Sequence, residues 1–445
     1  MKRSLKTNFL FLFVALLMTL NGCALSTIPN DLFSEGLLAI EKNSRFGYID
    51  TKGNKVIDYY FDEAYAFNGK YAIIVRNNLY NIIDKKGITQ LKDDADYLYF
   101  DNETGHLWFV KNNLLGLMKT NGDILIEAQY ELSVPKVFSS SLESFTFFQE
   151  GLARVAKNGK LGYIDTKGKT IIEFTYDDSG HFSEGLAYFM SATEKYGYID
   201  TKGKIVINAN WDYAEDFNLH KQAIVANEDD NFNYIYALIN QKGESIVGGL
   251  EDIEDHFDLY IIIKDDVCSI INTKGKIVND GTYHDFSVVG NFIFLAVLDN
   301  DLAATKITIF NKNGKVYQDI EITQAITDEL DDTFADDDNL YLFFVPASGK
   351  TVTLKLKNKT FSFETDDIRS VRNDFVIAIR NGEYGVRNLK DDLIIDYLYQ
   401  WIMYFDDGYF WVKEDGLFGI INNKGKLITD IIYQSCNINI NSYNK

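Results

Sequence analysis

Residues 196–207 read YGYIDTKGKIVI, and the same hairpin returns as LGYIDTKGKTII at 161–172 and as FGYIDTKGNKVI at 46–57. Glycine at the fourth corner supplies the positive φ of a tight hairpin turn, and Asp at the first corner accepts hydrogen bonds from the amides ahead of it. With that glycine as anchor, eleven copies fall into register at Gly53, Gly87, Gly122, Gly168, Gly203, Gly243, Gly275, Gly314, Gly349, Asp391 and Gly425, spaced 32 to 46 residues apart. Asp391 is one of the few non-glycine residues that tolerates the conformation. Three positions earlier the copies carry Asp or Asn, with Lys119 and Pro346 as the exceptions.

Seven positions before the anchor every copy is apolar or aromatic, from Phe46 through Tyr196 and Cys268 to Phe418. The next position is mostly small: Gly47, Gly116, Gly162, Gly197, Ala237, Ser269, Gly385 and Gly419. The two after it are apolar again. A strand wet on one face would alternate, so this one is expected to be buried on both, its glycine admitting a neighbouring backbone or ring. Cys268 therefore occupies a core slot as a small hydrophobe. A second motif recurs between anchors, FNGKYAIIV at Phe67, FQEGLARV at Phe148, FSEGLAYF at Phe182 and FDDGYFWV at Phe405, and reads as an aromatic, a turn and another strand. Each unit thus holds at least three strands, with a fourth in segments such as DADYLYF at 94–100.

Composition agrees. The chain has 445 residues, 46% hydrophobic and 14% aromatic, with 28 Tyr, 32 Phe and only 3 Pro, which favours an all-β fold over helix or disorder.

Together the two motifs resemble the WG (KWG-type) repeat family of bacteria, whose unit of about 35 residues runs W-G-Y-I-D-x-x-G, V-I-P-x-x-Y-D, F-x-E-G-L-A-x-V. The resemblance is fullest at 148–168 and 182–203, and Phe, Tyr or Leu stands in place of the family Trp in most copies. The repeats divide into a well-matched stretch, 41–243, and a degenerate one, 244–445. Units of this size cannot each bury a core, so they must stack on their neighbours. A strand buried on both faces suits a sheet sandwiched between two others, which favours propeller-like blades, with an open β-solenoid as the competing arrangement. The family carries no single activity, and no catalytic residue transfers from it. The acidic segment TDELDDTFADDD, 327–338, interrupts the later repeats and is expected to be a surface loop.

Ahead of the repeats, Lys2, Arg3 and Lys6 precede the apolar run FLFLFVALLMTL at 9–20. This is an export signal, and Leu20, Asn21, Gly22 and Cys23 resemble the lipobox of bacterial lipoproteins. Residues 1–22 are expected to be removed, Cys23 to carry lipid and 23–40 to form a tether. That puts the chain outside the cytoplasm, lipid-anchored in a bacterial envelope. Formal net charge is −21, and about −24 without the leader, so nucleic acid is disfavoured as a partner because it demands Lys and Arg.

No nucleophile elbow, phosphate loop or zinc spacing appears. His106, His181, His220, His256 and His284 are scattered, and the Asp cluster 331–338 lacks an EF-hand pattern. No cofactor, metal or catalytic residue is expected. Of the four tryptophans, Trp211 and Trp411 recur in structural slots, leaving Trp108 and Trp401 as candidate ligand-contact aromatics. The reading is a non-catalytic, membrane-anchored interaction scaffold for an envelope or extracellular protein, with glycan binding second and a glycosidase-like enzyme a distant third.

Overall fold

The computed structural model describes residues 31–132, 148–279, 281–299, 304–321, 330–335, 339–344, 352–356 and 359–437, and among them every regular element is a strand. The repeats fold as small antiparallel meanders of strands named a, b, c and d, hydrogen-bonded in chain order; among the described residues the fifth has only b, c and d, and the second and seventh only a, b and c. In the tenth repeat the four are Asp367–Arg372, Phe375–Arg380, Glu383–Asn388 and Leu393–Tyr399. The protein is therefore all-β, built of tandem propeller-like blades.

Turn chemistry accounts for each corner. The c–d turn is the quoted one, and ten copies superpose in detail. The anchor amide donates to the carbonyl three residues back at 2.8–2.9 Å, and φ runs from +69° at Asp391 to +88° at Gly122. Nine of the ten place an Asp or Asn oxygen on the amides two and four residues ahead, as Asp200 Oδ1 does for Lys202 and Lys204, both at 2.9 Å. At Lys119, which has no acceptor side chain, the backbone closes the same turn and Asn121 Oδ1 accepts from Asp123 N at 3.2 Å instead. The turn leading into strand b, which is the a–b turn where strand a precedes it, is Glu-Gly with both residues at positive φ at Glu35-Gly36, Glu150-Gly151 and Glu184-Gly185. The b–c turn uses Asn-Gly or Asn-Asn in the same two-residue form, as at Asn158-Gly159 and Asn77-Asn78.

Strands b and c are buried in runs rather than alternately: Leu152–Lys157 is buried at its first five positions, and Lys160–Asp165 at its middle four. Strand d alternates, as in Ile205–Trp211, because it forms the outer edge. Successive meanders share their cores. Tyr163 and Ile172 of the fourth repeat pack with Phe182, Ala187 and Ile199 of the fifth. The c–d turns also sit on the preceding strand d. A Cβ on Gly243 would lie 3.1 Å from Ile207 Cγ2, and one on Gly203 3.4 Å from Ile172.

Two compact units divide the chain, residues 1–72 with 278–445, and residues 73–277. The first repeat, in the first unit, has strands b, c and d at Leu37–Lys42, Arg45–Asp50 and Lys55–Phe61, and its strand a comes from the other end of the chain, Ser435–Asn437. Ala39, Ile40 and Glu41 pair there with Asn437, Cys436 and Ser435.

Three expectations need correction. The segment 23–40 is not all tether: Leu32 and Phe33 are buried, and strand b of the first repeat begins at Leu37. The acidic segment is not simply a loop, since Leu330–Ala335 is strand a of the ninth repeat, paired with Leu340–Phe344. Leu340–Phe344 and Val352–Leu356 are strands b and c of that repeat, and Gly349, expected as its anchor, lies outside the described residues. The stretch 244–445 is not uniformly degenerate either, for its tenth and eleventh repeats close the same Asn-led c–d turn as the earlier ones.

Candidate functional site

Polar groups repeated from blade to blade are used up in holding the blades. The tyrosine of the G-Y-I-D strand is fully buried in three repeats, and its hydroxyl donates to the carbonyl of the loop that follows. Tyr48 reaches Tyr65 O at 2.8 Å, Tyr163 reaches Gly180 O at 2.6 Å and Tyr198 reaches Glu215 O at 2.8 Å. Each ring meets the second-motif phenylalanine edge-on, Phe67, Phe182 and Phe217, at 4.8–5.0 Å. At the a–b turns a carboxylate crosses to the next repeat: Glu103 accepts from Gly151 N at 2.7 Å, and Glu150 from Gly185 N at 3.0 Å. Asp407 of the last repeat accepts from Leu32 N and Phe33 N, both at 3.1 Å.

One region of the second unit holds polar groups that these roles do not exhaust. Arg154, on strand b of the fourth repeat, is buried and donates through Nη1 to Ser179 O. Beside it Asp216 accepts from the His181 amide, and burial, only partly offset by Arg154, pushes its carboxyl up to about 6. A side chain at Gly180 would collide with Asp216 and with the Tyr188 ring, so only glycine lets the loop close here. Outward from this layer lies a face of tyrosines. Tyr213, Ala226 and Tyr236 are directly paired across three adjacent strands of the sixth repeat, and Glu228 pairs with Tyr234 two residues along. Paired residues share a face and alternate residues return to it. The small Ala226 lets the rings meet above it. Tyr213, Tyr234 and Tyr236 stand 6.1–6.3 Å apart. The Tyr213 hydroxyl donates to Glu215 Oε1 at 2.6 Å, and burial followed by Glu228 raises the Tyr234 hydroxyl pKa. On the fifth repeat Tyr188 and Tyr196 stand 5.7 Å apart, and the Tyr196 hydroxyl donates to Asp178 Oδ2 at 2.9 Å. Carboxylates border these rings, and Lys195 is ion-paired with Asp212.

A family model described as WG containing repeat matches residues 46–80, 142–160, 162–190, 196–220 and 384–418. These five stretches of the chain are WG-type repeats. Of the five rings of the tyrosine face, Tyr188 lies in the third match, Tyr196 and Tyr213 lie in the fourth and Tyr234 and Tyr236 lie in none; the fifth match falls in the stretch whose sequence reads as degenerate. No curated protein matches the chain. Among solved structures it is similar to a eukaryotic initiation factor (12% identity, 72% of this chain and 92% of that one, TM-score 0.37). BamB from Moraxella catarrhalis gives 13%, 76%, 98% and 0.27, and the C-terminal WD40 domain of Sif2 gives 10%, 74%, 97% and 0.30.

Two of the four tryptophans, Trp108 and Trp411, are buried, and Trp211 and Trp401 are half-buried. Trp108 is 0% exposed, stacked between Tyr99 and Phe148, and its Nε1 donates to Asp101 Oδ2 at 3.1 Å. It offers no face to a ligand, which corrects its candidacy. Trp401 is half-buried, with its ring edge-on to Phe418 at 6.3 Å, and Trp411 is buried and stacked on the same phenylalanine at 5.2 Å. Cys23 lies outside the described residues. Cys268 is buried, Cys436 is a thiol whose pKa burial pushes up to about 12, and neither forms a disulfide. His220 contacts Asp258 at 3.0 Å, while burial lowers the pKa of His256. Among the described residues no three His, Cys, Asp or Glu side chains are arranged to hold a metal. The tyrosine face itself escaped notice in the sequence because its five rings come from four strands. The only local trace is Tyr-Ile-Tyr at 234–236, whose alternation puts two rings on one face. The FSEG at 33–36 was a plainer signal, a copy of the second motif inside the supposed tether.

Proposed function

We propose that this chain is a non-catalytic repeat scaffold, tethered through lipid at Cys23 to a bacterial membrane on its extracytoplasmic side, where it binds an envelope or extracellular protein. One observation carries the reading: the repeated polar residues, DxxG corner, G-Y-I-D tyrosine and Glu-Gly carboxylate, are spent on turns and on the next blade. Only the variable surface is left for recognition, which is the design of a repeat scaffold. The burial of Trp108 weighs against the glycan alternative. Labelled fatty acid should enter the full chain and be lost, with membrane fractionation, in Cys23→Ala. The same Cys23→Ala chain, run as bait over envelope extract and screened against glycosidase, esterase and peptidase substrates, should retain a protein and turn nothing over. Turnover abolished by one Asp or Glu substitution would overturn the scaffold reading.

A further inference from the structure

We infer that the tyrosine face of the fifth and sixth repeats is a docking surface for an arginine-bearing segment of a protein partner. The proposal rests on the scaffold reading and assigns it a place and a chemistry. Three rings of one sheet face, Tyr213, Tyr234 and Tyr236, lie mutually 6.1–6.3 Å apart, and Tyr213 is 37% exposed. Phe232 projects at the tip of the adjoining b–c turn, 84% exposed and at φ +60°, a conformation costly for a phenylalanine. Asp229 holds that turn, accepting from Asn231 N at 2.8 Å and Asn233 N at 2.9 Å.

Charge decides which occupant fits. Glu228 stands on the same face as the rings, Glu215 is held by the Tyr213 hydroxyl, and Asp212 and Asp178 flank them. Lys195 is already taken by Asp212. Rings bordered by carboxylates are the complement of a cation that stacks. A guanidinium meets both demands, lying flat on a ring while its edge donates to a carboxylate, whereas an ammonium is a strongly hydrated point charge. A sugar would also stack, but it leaves the charges of Glu228, Glu215 and Asp178 uncompensated. The net charge of −21 adds steering toward a basic partner.

The test measures binding of labelled hexaarginine and hexalysine to the full chain by fluorescence anisotropy, beside cellopentaose as the sugar probe. Hexaarginine should bind several-fold more tightly than hexalysine. Tyr213→Ala with Tyr234→Ala should weaken it at least about tenfold, the effect of losing two stacked contacts of about 0.7 kcal/mol each. Tyr213→Phe with Tyr234→Phe should keep it within about threefold, because the rings remain. Glu228→Gln should weaken binding more than Asp58→Asn on the first repeat, although each removes one charge. If the alanine pair does not fold, the phenylalanine pair and the two charge variants decide. Equal loss in Glu228→Gln and Asp58→Asn, or equal affinity for the two peptides, would mean attraction by net charge alone and would overturn the proposal. Cellopentaose binding lost in the alanine pair would overturn it in favour of a sugar platform. The scaffold reading fails separately, on hydrolytic turnover.

Discussion

Tyr163 and Asp216 illustrate two kinds of buried polar residue. Tyr163 donates its hydroxyl to Gly180 O and is satisfied, as Tyr48 and Tyr198 are in their own repeats. Asp216 Oδ1 is buried without a hydrogen-bond partner, and its carboxyl titrates near 6 against an ordinary 3.8. The folded chain therefore holds the proton more tightly than the unfolded chain. The stability this contributes is complete below the ordinary value and is lost as pH rises through about 6. Asp216→Asn, which mimics the protonated form, should track wild type near pH 4 and gain on it by about 1 to 3 kcal/mol by pH 7. Urea midpoints measured across that range check this, and parallel curves would refute it. Asp391 shows a different compensation. Its left-handed backbone is strained for a side chain, but Oδ1 accepts from Arg387 Nη1 at 2.6 Å, so glycine there would relieve one cost and lose one ion pair.

At the scale of the strand, the small residue of strand c sets the course of strand d. In the six glycine repeats two steps of strand c face four of strand d: Phe46 and Tyr48 oppose Phe61 and Ile57, and Tyr196 and Tyr198 oppose Trp211 and Ile207. With Ala237 the bulge shrinks by one residue, since Tyr236 and Ala237 oppose Leu250 and Gly248. With Thr308 it vanishes and the register runs straight from Ile307–Ile320 to Ile309–Gln318. The cause is steric. A Cβ on Gly197 would lie 2.5 Å from Ile207 O, and one on Gly162 would lie 2.8 Å from Ile172 O and 2.9 Å from the Phe174 ring. Bulges of this kind bend and twist an edge strand. Gly197→Ala should thus cost about 1 to 3 kcal/mol in chemical denaturation, the usual range for overpacking, while Ala237→Gly should cost less than about 1 kcal/mol. Equal effects at the two sites would break the link between residue size and bulge.

At the scale of the molecule, the first blade is finished by the last residues described. Ser435–Asn437 covers the edge of Leu37–Lys42, Gln434 N donates to Glu41 O at 3.0 Å, and Ser435 Oγ donates to Glu41 Oε2 at 2.5 Å. Trp411, Ile420 and Tyr433 of the eleventh repeat share a core with Leu38, Ile40 and Ile49 of the first. Ending the chain after Tyr433 should expose an unpaired edge and raise amide exchange across Leu37–Lys42 by at least about tenfold. Unchanged protection in hydrogen exchange would show that the pairing contributes nothing.

What the sequence determined by itself was whatever is decided within a few residues. A DxxG corner closes through its own amides, a Glu-Gly or Asn-Gly pair takes positive φ without outside help, and a run of buried residues between two such corners has to be an inner strand. The all-β fold, the repeat and the burial of Cys268 follow from that. Tertiary structure decided whatever depends on partners far apart in the chain. Strand a of the first blade lies some four hundred residues from strand b, and no local pattern in Ser435–Asn437 announces its place. In the ninth repeat only strand pairing identifies Leu340–Phe344 and Val352–Leu356 as successive inner strands, because spacing along the chain does not tell one turn from another. Trp108 looked available because sequence records a side chain's chemistry and not its exposure, while the tyrosine face exists only where sheet pairing and blade stacking bring separate strands together.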